Sequence, residues 1–212
     1  MSKLHAFGDS FTYGSDLSDC GNKPSLYTWT SLLSNHLEKE YVCYAKAGSS
    51  NQTIVRKVFD NIHNIKDDDT VVVNWTWIDR WDFFNLQKSN WETVRPDSVD
   101  SIFYKNYYKY FQSELWDKFE TLKAINLISN TLENYNIKLI MTCIDKLVFD
   151  TTWHCPKYIE NLQDSVKDKI IWFDGLGFYD WAKYKQYKIS DKWHPLEEAH
   201  KKAFEYINEI TK

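Results

Sequence analysis

Two uninterrupted apolar runs, Val71-Val72-Val73 and Leu139-Ile140-Met141, constrain the fold of this 212-residue chain more than any other feature. A strand with no polar face must be covered on both sides, which is the situation of a parallel sheet carrying helices on each face. The runs predict strands over Thr70 to Trp75 and Lys138 to Cys143, and Lys3 to Phe7, Tyr41 to Ala45 and Lys169 to Phe173 read the same way. Between them, Tyr27 to Leu37 and Gln52 to Ile62 repeat apolar residues at helical spacing. Ile102 to Leu132 is helical for most of its length, and Leu196 to Ile210 completes the set. Alternating strand and helix predicts an α/β chain, a three-layer α/β/α sandwich around a five-stranded parallel sheet. One domain over residues 1–212 is long enough to bury that core.

In such sheets the ligand sits outside the carboxyl ends of the strands. Ser10 lies there, as do Gly48 after the second strand and the segment Asn74 to Arg80 after the third. Gly8-Asp9-Ser10 at one end of the chain has a distant counterpart in Asp191-Lys192-Trp193-His194 at the other. A serine hydroxyl attacks at neutral pH when a histidine takes its proton and a carboxylate holds the far ring nitrogen. Asp191, three residues before His194, is the candidate orienter. Each motif alone is ordinary turn or helix-start chemistry. Their joint presence at the two ends of an α/β chain points to Ser10, His194 and Asp191 as nucleophile, base and orienter.

These residues, in the order Ser, Asp, His, resemble the SGNH or GDSL hydrolase superfamily, and the Trp75-Thr76 stretch resembles a divergent branch of it with phage and marine-virus members. The resemblance implies a flavodoxin-like strand order and a serine esterase that removes a short acyl group, such as acetyl, from a carbohydrate or small ester. It further implies an oxyanion hole built from the Ser10 N–H and a glycine N–H of a second block, where Ala47-Gly48-Ser49-Ser50-Asn51 points to Gly48. The family's third block, Gly-x-Asn-Asp, is replaced by Asn74-Trp75-Thr76-Trp77-Ile78-Asp79-Arg80. Thr76 then stands where the family has its asparagine donor, with Asn74 as the other candidate. Alternation puts Trp75 and Trp77 on one side, as aromatic walls, and Thr76 on the other; Asn74, Trp75 and Arg80 are the candidate substrate contacts. Trp193 is expected beside the histidine. The rival reading is a carbohydrate-binding or virion component that kept the pocket and lost the chemistry.

Composition narrows the field. A net charge of -4 offers no footprint for nucleic acid or an anionic membrane. The first residues run straight into a strand, without a secretory leader, and no apolar run has membrane-span length, so a cytoplasmic or virion-associated location is expected. Neither a phosphate-binding loop nor a dinucleotide fingerprint is present. Cys20, Cys43, Cys143 and Cys155 lack metal-ligand spacing, and His154-Cys155 has no companion pair, so neither metal nor cofactor is expected. The 17 residues from Asn85 to Ser101 read as the longest loop, a candidate lid. Aromatic residues make up 17% of the chain, more than a core of this size requires, which leaves some to line a pocket.

Overall fold

The computed structural model describes residues 2–97, 101–152 and 155–211. Its strands are β1 (Lys3–Phe7), β2 (Glu40–Cys43), β3 (Thr70–Trp75), β4 (Trp81–Asn85), β5 (Asn90–Val94), β6 (Lys138–Cys143) and β7 (Ile170–Ile171). The helices are α1 (Ser10–Tyr13), α2 (Trp29–His36), α3 (Asn51–Asn61), α4 (Ile102–Tyr110), α5 (Glu114–Leu132), α6 (Lys157–Val166), α7 (Phe178–Tyr184) and α8 (Glu197–Ile210). Five strands form a parallel sheet in the order β2-β1-β3-β6-β7, the flavodoxin-like order once the β4-β5 hairpin is set aside.

The two apolar runs do what their pattern demands. Every residue of β3 is buried, and successive side chains serve opposite layers. Val71, Val73 and Trp75 join Ile54 and Val58 of α3, Ile125 and Ile128 of α5 and Ile159 of α6 in one core. Val72 and Ile140 join Leu33 of α2, Phe178 and Trp181 of α7 and Ala203 and Ile207 of α8 in the other. The sheet therefore lies between two helical layers, and every β-to-α connection from β1, β2 and β3 emerges at one end.

Two expectations need correction. The stretch after Asn85 is not a loop: β4 and β5 pair antiparallel from Trp81↔Val94 to Asn85↔Asn90, turning through Ser89 at a positive φ. The hairpin rests on α4, with the Trp81 ring stacked 4.7 Å from that of Tyr107 and Phe83 5.1 Å from Phe103. Its continuation over 98–100 lies outside the described residues. The second correction is that Ile102 to Leu132 forms two helices. The Tyr107 carbonyl accepts from both Phe111 and Gln112, which closes α4, and α5 restarts after Ser113 with Glu114 and Asp117 in its first turn.

Candidate functional site

β1 hands the chain directly to α1, and Asp9 between them caps that helix, its Oδ1 accepting from Phe11 N–H at 3.0 Å. Ser10 thus opens the first turn, where backbone N–H groups have no acceptor within the helix. Gly8 is required by crowding. A Cβ there would sit 2.2 Å from Thr12 Oγ1 and 3.3 Å from the Asn74 carbonyl oxygen.

Asp9 is fully buried, and its second oxygen gathers two more loops. Oδ2 accepts from Thr76 Oγ1 at 2.7 Å and from Arg80 Nη1 at 2.9 Å, and the same Arg80 nitrogen donates to the Ser49 carbonyl at 2.8 Å. Asn51 completes the brace: its amide accepts from Thr76 N–H at 2.8 Å and donates to the Thr76 carbonyl at 3.1 Å. The segments that follow β1, β2 and β3 are thereby tied at one buried carboxylate.

These segments and the loop before α8 enclose a cavity of about 990 Å³, lined among others by Ser10, Phe11, Asp16, Gly48, Trp77, Arg80, Asp191 and His194. Gly48 has φ +78, and a Cβ there would meet the Arg95 guanidinium at 2.7 Å. Its N–H has no acceptor among the described residues. Arg95 itself is ion-paired with Asp97. The His194 ring meets the edge of Phe11 at 5.5 Å.

The carboxylate on His194 is not the expected one. Nδ1 lies 2.8 Å from Asp16 Oδ2, an oxygen that also accepts from Ser190 Oγ at 2.7 Å. The hydrogen bond from His194 holds the Asp16 carboxyl below its usual value, with smaller help from Ser190 and the positive charge of Lys192. Asp191 lines the same cavity yet makes no hydrogen bond to His194 among the described residues. The cause is local. Trp193 takes a left-handed φ of +72, and Ser190 Oγ accepts from both Lys192 and His194 N–H, so the turn faces His194 toward the loop that follows α1.

Four further expectations change. The Thr76 hydroxyl is committed to Asp9, so it braces Ser10 rather than facing an oxyanion. Asn74 is wholly buried in β3, accepting from Thr142 Oγ1 at 2.9 Å, and Trp75 is 1% exposed inside the core; neither lines the cavity. Trp75 and Trp77 serve different layers because β3 ends at Trp75, which breaks the strand parity. Trp193 stacks on Tyr179 at 6.3 Å and stays 65% exposed instead of packing on the histidine. Arg80 does line the cavity, anchored by Asp9. Sequence reasoning missed Asp16 because its only signal is a position six residues past Ser10, which acquires meaning once the ends of the chain meet.

Among the described residues, no group of three His, Cys, Asp or Glu side chains is arranged to hold a metal, and His154 falls outside them. All four cysteines are free thiols. Among the described residues no helix is long and apolar enough to cross a membrane.

No protein-family model matches the chain, and no curated protein matches it. Solved structures do. A G-D-S-L family lipolytic protein from Veillonella parvula is 16% identical, with 99% of this chain and 98% of that one covered at a TM-score of 0.54. The psychrotrophic esterase EstA from Pseudoalteromonas sp. is 10% identical over 99% and 96% of the two chains, at a TM-score of 0.53. An acetyl xylan esterase from Butyrivibrio proteoclasticus is 13% identical, matching 99% of this chain and 64% of its own at a TM-score of 0.50. What these likenesses define is a class by its architecture, a three-layer sandwich with a cavity at the carboxyl end of a parallel sheet. Within that class the fold is the one found in the GDSL or SGNH lipolytic proteins.

Proposed function

We propose that the chain is a serine ester hydrolase that removes a short acyl group, such as acetyl, from a carbohydrate or small ester. The observation that carries this reading is the His194 ring, held at Nδ1 by a carboxylate at 2.8 Å while sharing one cavity with Ser10. An imidazole fixed as the Nδ1–H tautomer has Nε2 available as a base. Ser10 Oγ attacks the acyl carbonyl as His194 Nε2 takes its proton, and Asp16 stabilises the imidazolium that forms. The negative charge on the carbonyl oxygen meets the N–H groups of Ser10 and Gly48. His194 then protonates the leaving alcohol, and water, deprotonated by the same nitrogen, releases the acid from the acyl-enzyme. No hydrogen bond links Ser10 and His194 among the described residues; such bonds often tighten only when substrate binds.

The esterases among the fold neighbours favour this chemistry. The test is direct. Purified protein should hydrolyse 4-nitrophenyl acetate and be labelled at Ser10 by a fluorophosphonate, and the Ser10→Ala variant should do neither. Folded protein that shows neither hydrolysis nor labelling refutes the reading and favours a non-catalytic binding component.

A further inference from the structure

A second cavity, of about 260 Å³, shares Arg80 with the first. It is walled by Trp81, Trp91 and Trp116, with Arg56, Asp117, Glu120 and Gln52 between them. Trp29, Trp75 and Trp181 are spent on the core, at most 3% exposed. Trp91 and Trp116 are 50% and 52% exposed, one on the hairpin and one on α5, and they line the same hollow. Neither is needed to fill a core, and neither touches the residues assigned to the ester chemistry.

We propose that this cavity is a binding subsite for a neutral sugar ring, one unit of a saccharide that also reaches the Ser10 cavity. The reach to Ser10 rests on the ester-hydrolase reading; the sugar subsite does not. Three ligand classes suit exposed indoles, and the surroundings separate them. A quaternary ammonium needs open aromatic faces and no competing cation. Here the Arg56 guanidinium lies 4.0 Å from the centre of the Trp91 ring, so one face is taken by a fixed positive charge. An acyl chain would strip water from Arg56, Asp117 and Glu120 and return no hydrogen bond. A pyranose does neither. Its C–H face packs on indole, and its ring of hydroxyls both donates and accepts.

The polar groups match that demand. Arg56 is held through Nη2 by Asp82 at 2.6 Å and Thr53 at 2.8 Å, which orients the guanidinium and leaves its other N–H donors uncommitted among the described residues. Glu120 and Asp117 accept, and the Gln52 amide does both. Asp117 is 6% exposed, and among the described residues Gln112 is its one side-chain donor, at 2.8 Å. Burial pushes its carboxyl up to about 6, partly offset by that bond. Hydroxyl groups supply donors.

The experiment measures binding of xylohexaose, cellohexaose and mannohexaose, all free of ester, by calorimetry and by quenching of tryptophan fluorescence. Wild type should bind at least one in the millimolar range or tighter. Trp116→Ala and Gln52→Ala should weaken that binding by about tenfold and severalfold, while turnover of 4-nitrophenyl acetate stays within about twofold. Trp91→Ala should behave like Trp116→Ala if it folds; since Arg56 and Phe84 pack on Trp91, the helix positions Trp116, exposed, and Gln52, half-buried, carry the test without it. The proposal is overturned if none of the three oligosaccharides binds, if binding is unchanged in Trp116→Ala and Gln52→Ala, or if tetramethylammonium or octanoate binds in their place with the same dependence on Trp116. Saccharide binding that depends on Trp116, in a protein that hydrolyses no ester, sinks the esterase reading and upholds the subsite.

Discussion

Replacing Asp16 with Asn isolates the one role the structure assigns against the local sequence pattern. Asp16 sits at φ +67, a region that Asn tolerates as well as Asp, so the substitution leaves the backbone where it is; Ala would add strain. The electrostatic part of the loss follows from geometry. Carboxylate and imidazole are 2.8 Å apart with side-chain exposures of 25% and 15%, between the wet and the buried limits. Opposite charges at that range are worth about 2–4 kcal/mol for a half-buried pair, or about 30- to 1,000-fold in rate once the imidazolium forms in the transition state. The Asn amide also competes to donate toward Nδ1, which favours the tautomer unable to accept the Ser10 proton. The two effects together predict a fall in kcat of about 10²–10³, short of the ~10⁴ seen for a buried orienter because water reaches this pair.

Stability should barely move, since an accessible ion pair contributes less than about 1 kcal/mol. The sign is also fixed. The Asp16 carboxyl is held down in the folded state, so its contribution is present above the ordinary carboxylate value and fades as pH falls through the lowered one. Any stability difference between wild type and Asp16→Asn must therefore shrink in acid. The assay is kcat on 4-nitrophenyl acetate, with thermal unfolding as the control and Asp191→Asn in parallel. Asp191→Asn should keep kcat within about threefold. The reverse pattern, an active Asp16→Asn and a crippled Asp191→Asn, refutes the assignment and returns the role to the local Asp-x-x-His turn.

Three further outcomes follow from named contacts. Thr76→Val should cost about 1–3 kcal/mol of stability, measured by urea unfolding, because buried Asp9 loses a donor, and Thr76→Ser should restore most of it. Gly48→Ala should cost more than about 1 kcal/mol from the left-handed backbone alone, and should lower kcat by pressing on Arg95 in the cavity; unchanged turnover would remove Gly48 from the oxyanion site. Burial, with repulsion from Asp180 and Asp79 and despite the Leu147 N–H, pushes the Asp145 carboxyl up to about 6. A raised carboxyl favours the folded state at low pH and loses that advantage as pH rises through its folded value, so Asp145→Asn should raise Tm at pH 8 and leave it nearly unchanged at pH 4.

How much of this was legible depends on whether the signal was local. The strands β3 and β6 appear with the limits their apolar runs predicted, because burial on both faces writes itself into every residue. The β4-β5 hairpin did not, since Phe83-Phe84 breaks the alternation and its aromatic residues partner α4 rather than the sheet core. Ser10 and His194 were legible because each sits in a short motif; whether they act as nucleophile and base is a matter for the labelling experiment. Asp16 was not, since 178 residues separate it from His194. Trp75 was misjudged because alternation was carried past the end of β3: Trp75 follows Val71 and Val73 into one core, while Trp77, beyond the strand, packs against the other.

Thr76, where the resemblance to the SGNH hydrolases leads one to expect an asparagine donor, has a structural reading that does not require lost chemistry. A side-chain donor stabilises an oxyanion directly; a brace does so by fixing where backbone donors stand. Thr76 and Arg80 both reach Asp9, which caps the helix that Ser10 opens, and Arg80 also holds the Ser49 carbonyl next to Gly48. Movement of the Ser10 turn against the Gly48 turn therefore has to break either the Arg80 bond to the Ser49 carbonyl or its ion pair with the fully buried Asp9 carboxylate. Breaking such a pair by removing one partner costs about 3–5 kcal/mol, far more than a lone hydrogen bond between hydroxyls. On this account the segment from Thr76 to Arg80 makes two N–H groups rigid in place of adding a third donor. Its consequence is specific: Arg80→Lys keeps the charge but replaces the fixed, planar Nη1 that donates to both Asp9 and the Ser49 carbonyl with a rotatable ammonium on a shorter stem, so kcat should fall while KM for a small ester changes little. A loss confined to KM would instead make Arg80 a substrate contact and leave the oxyanion geometry without its brace.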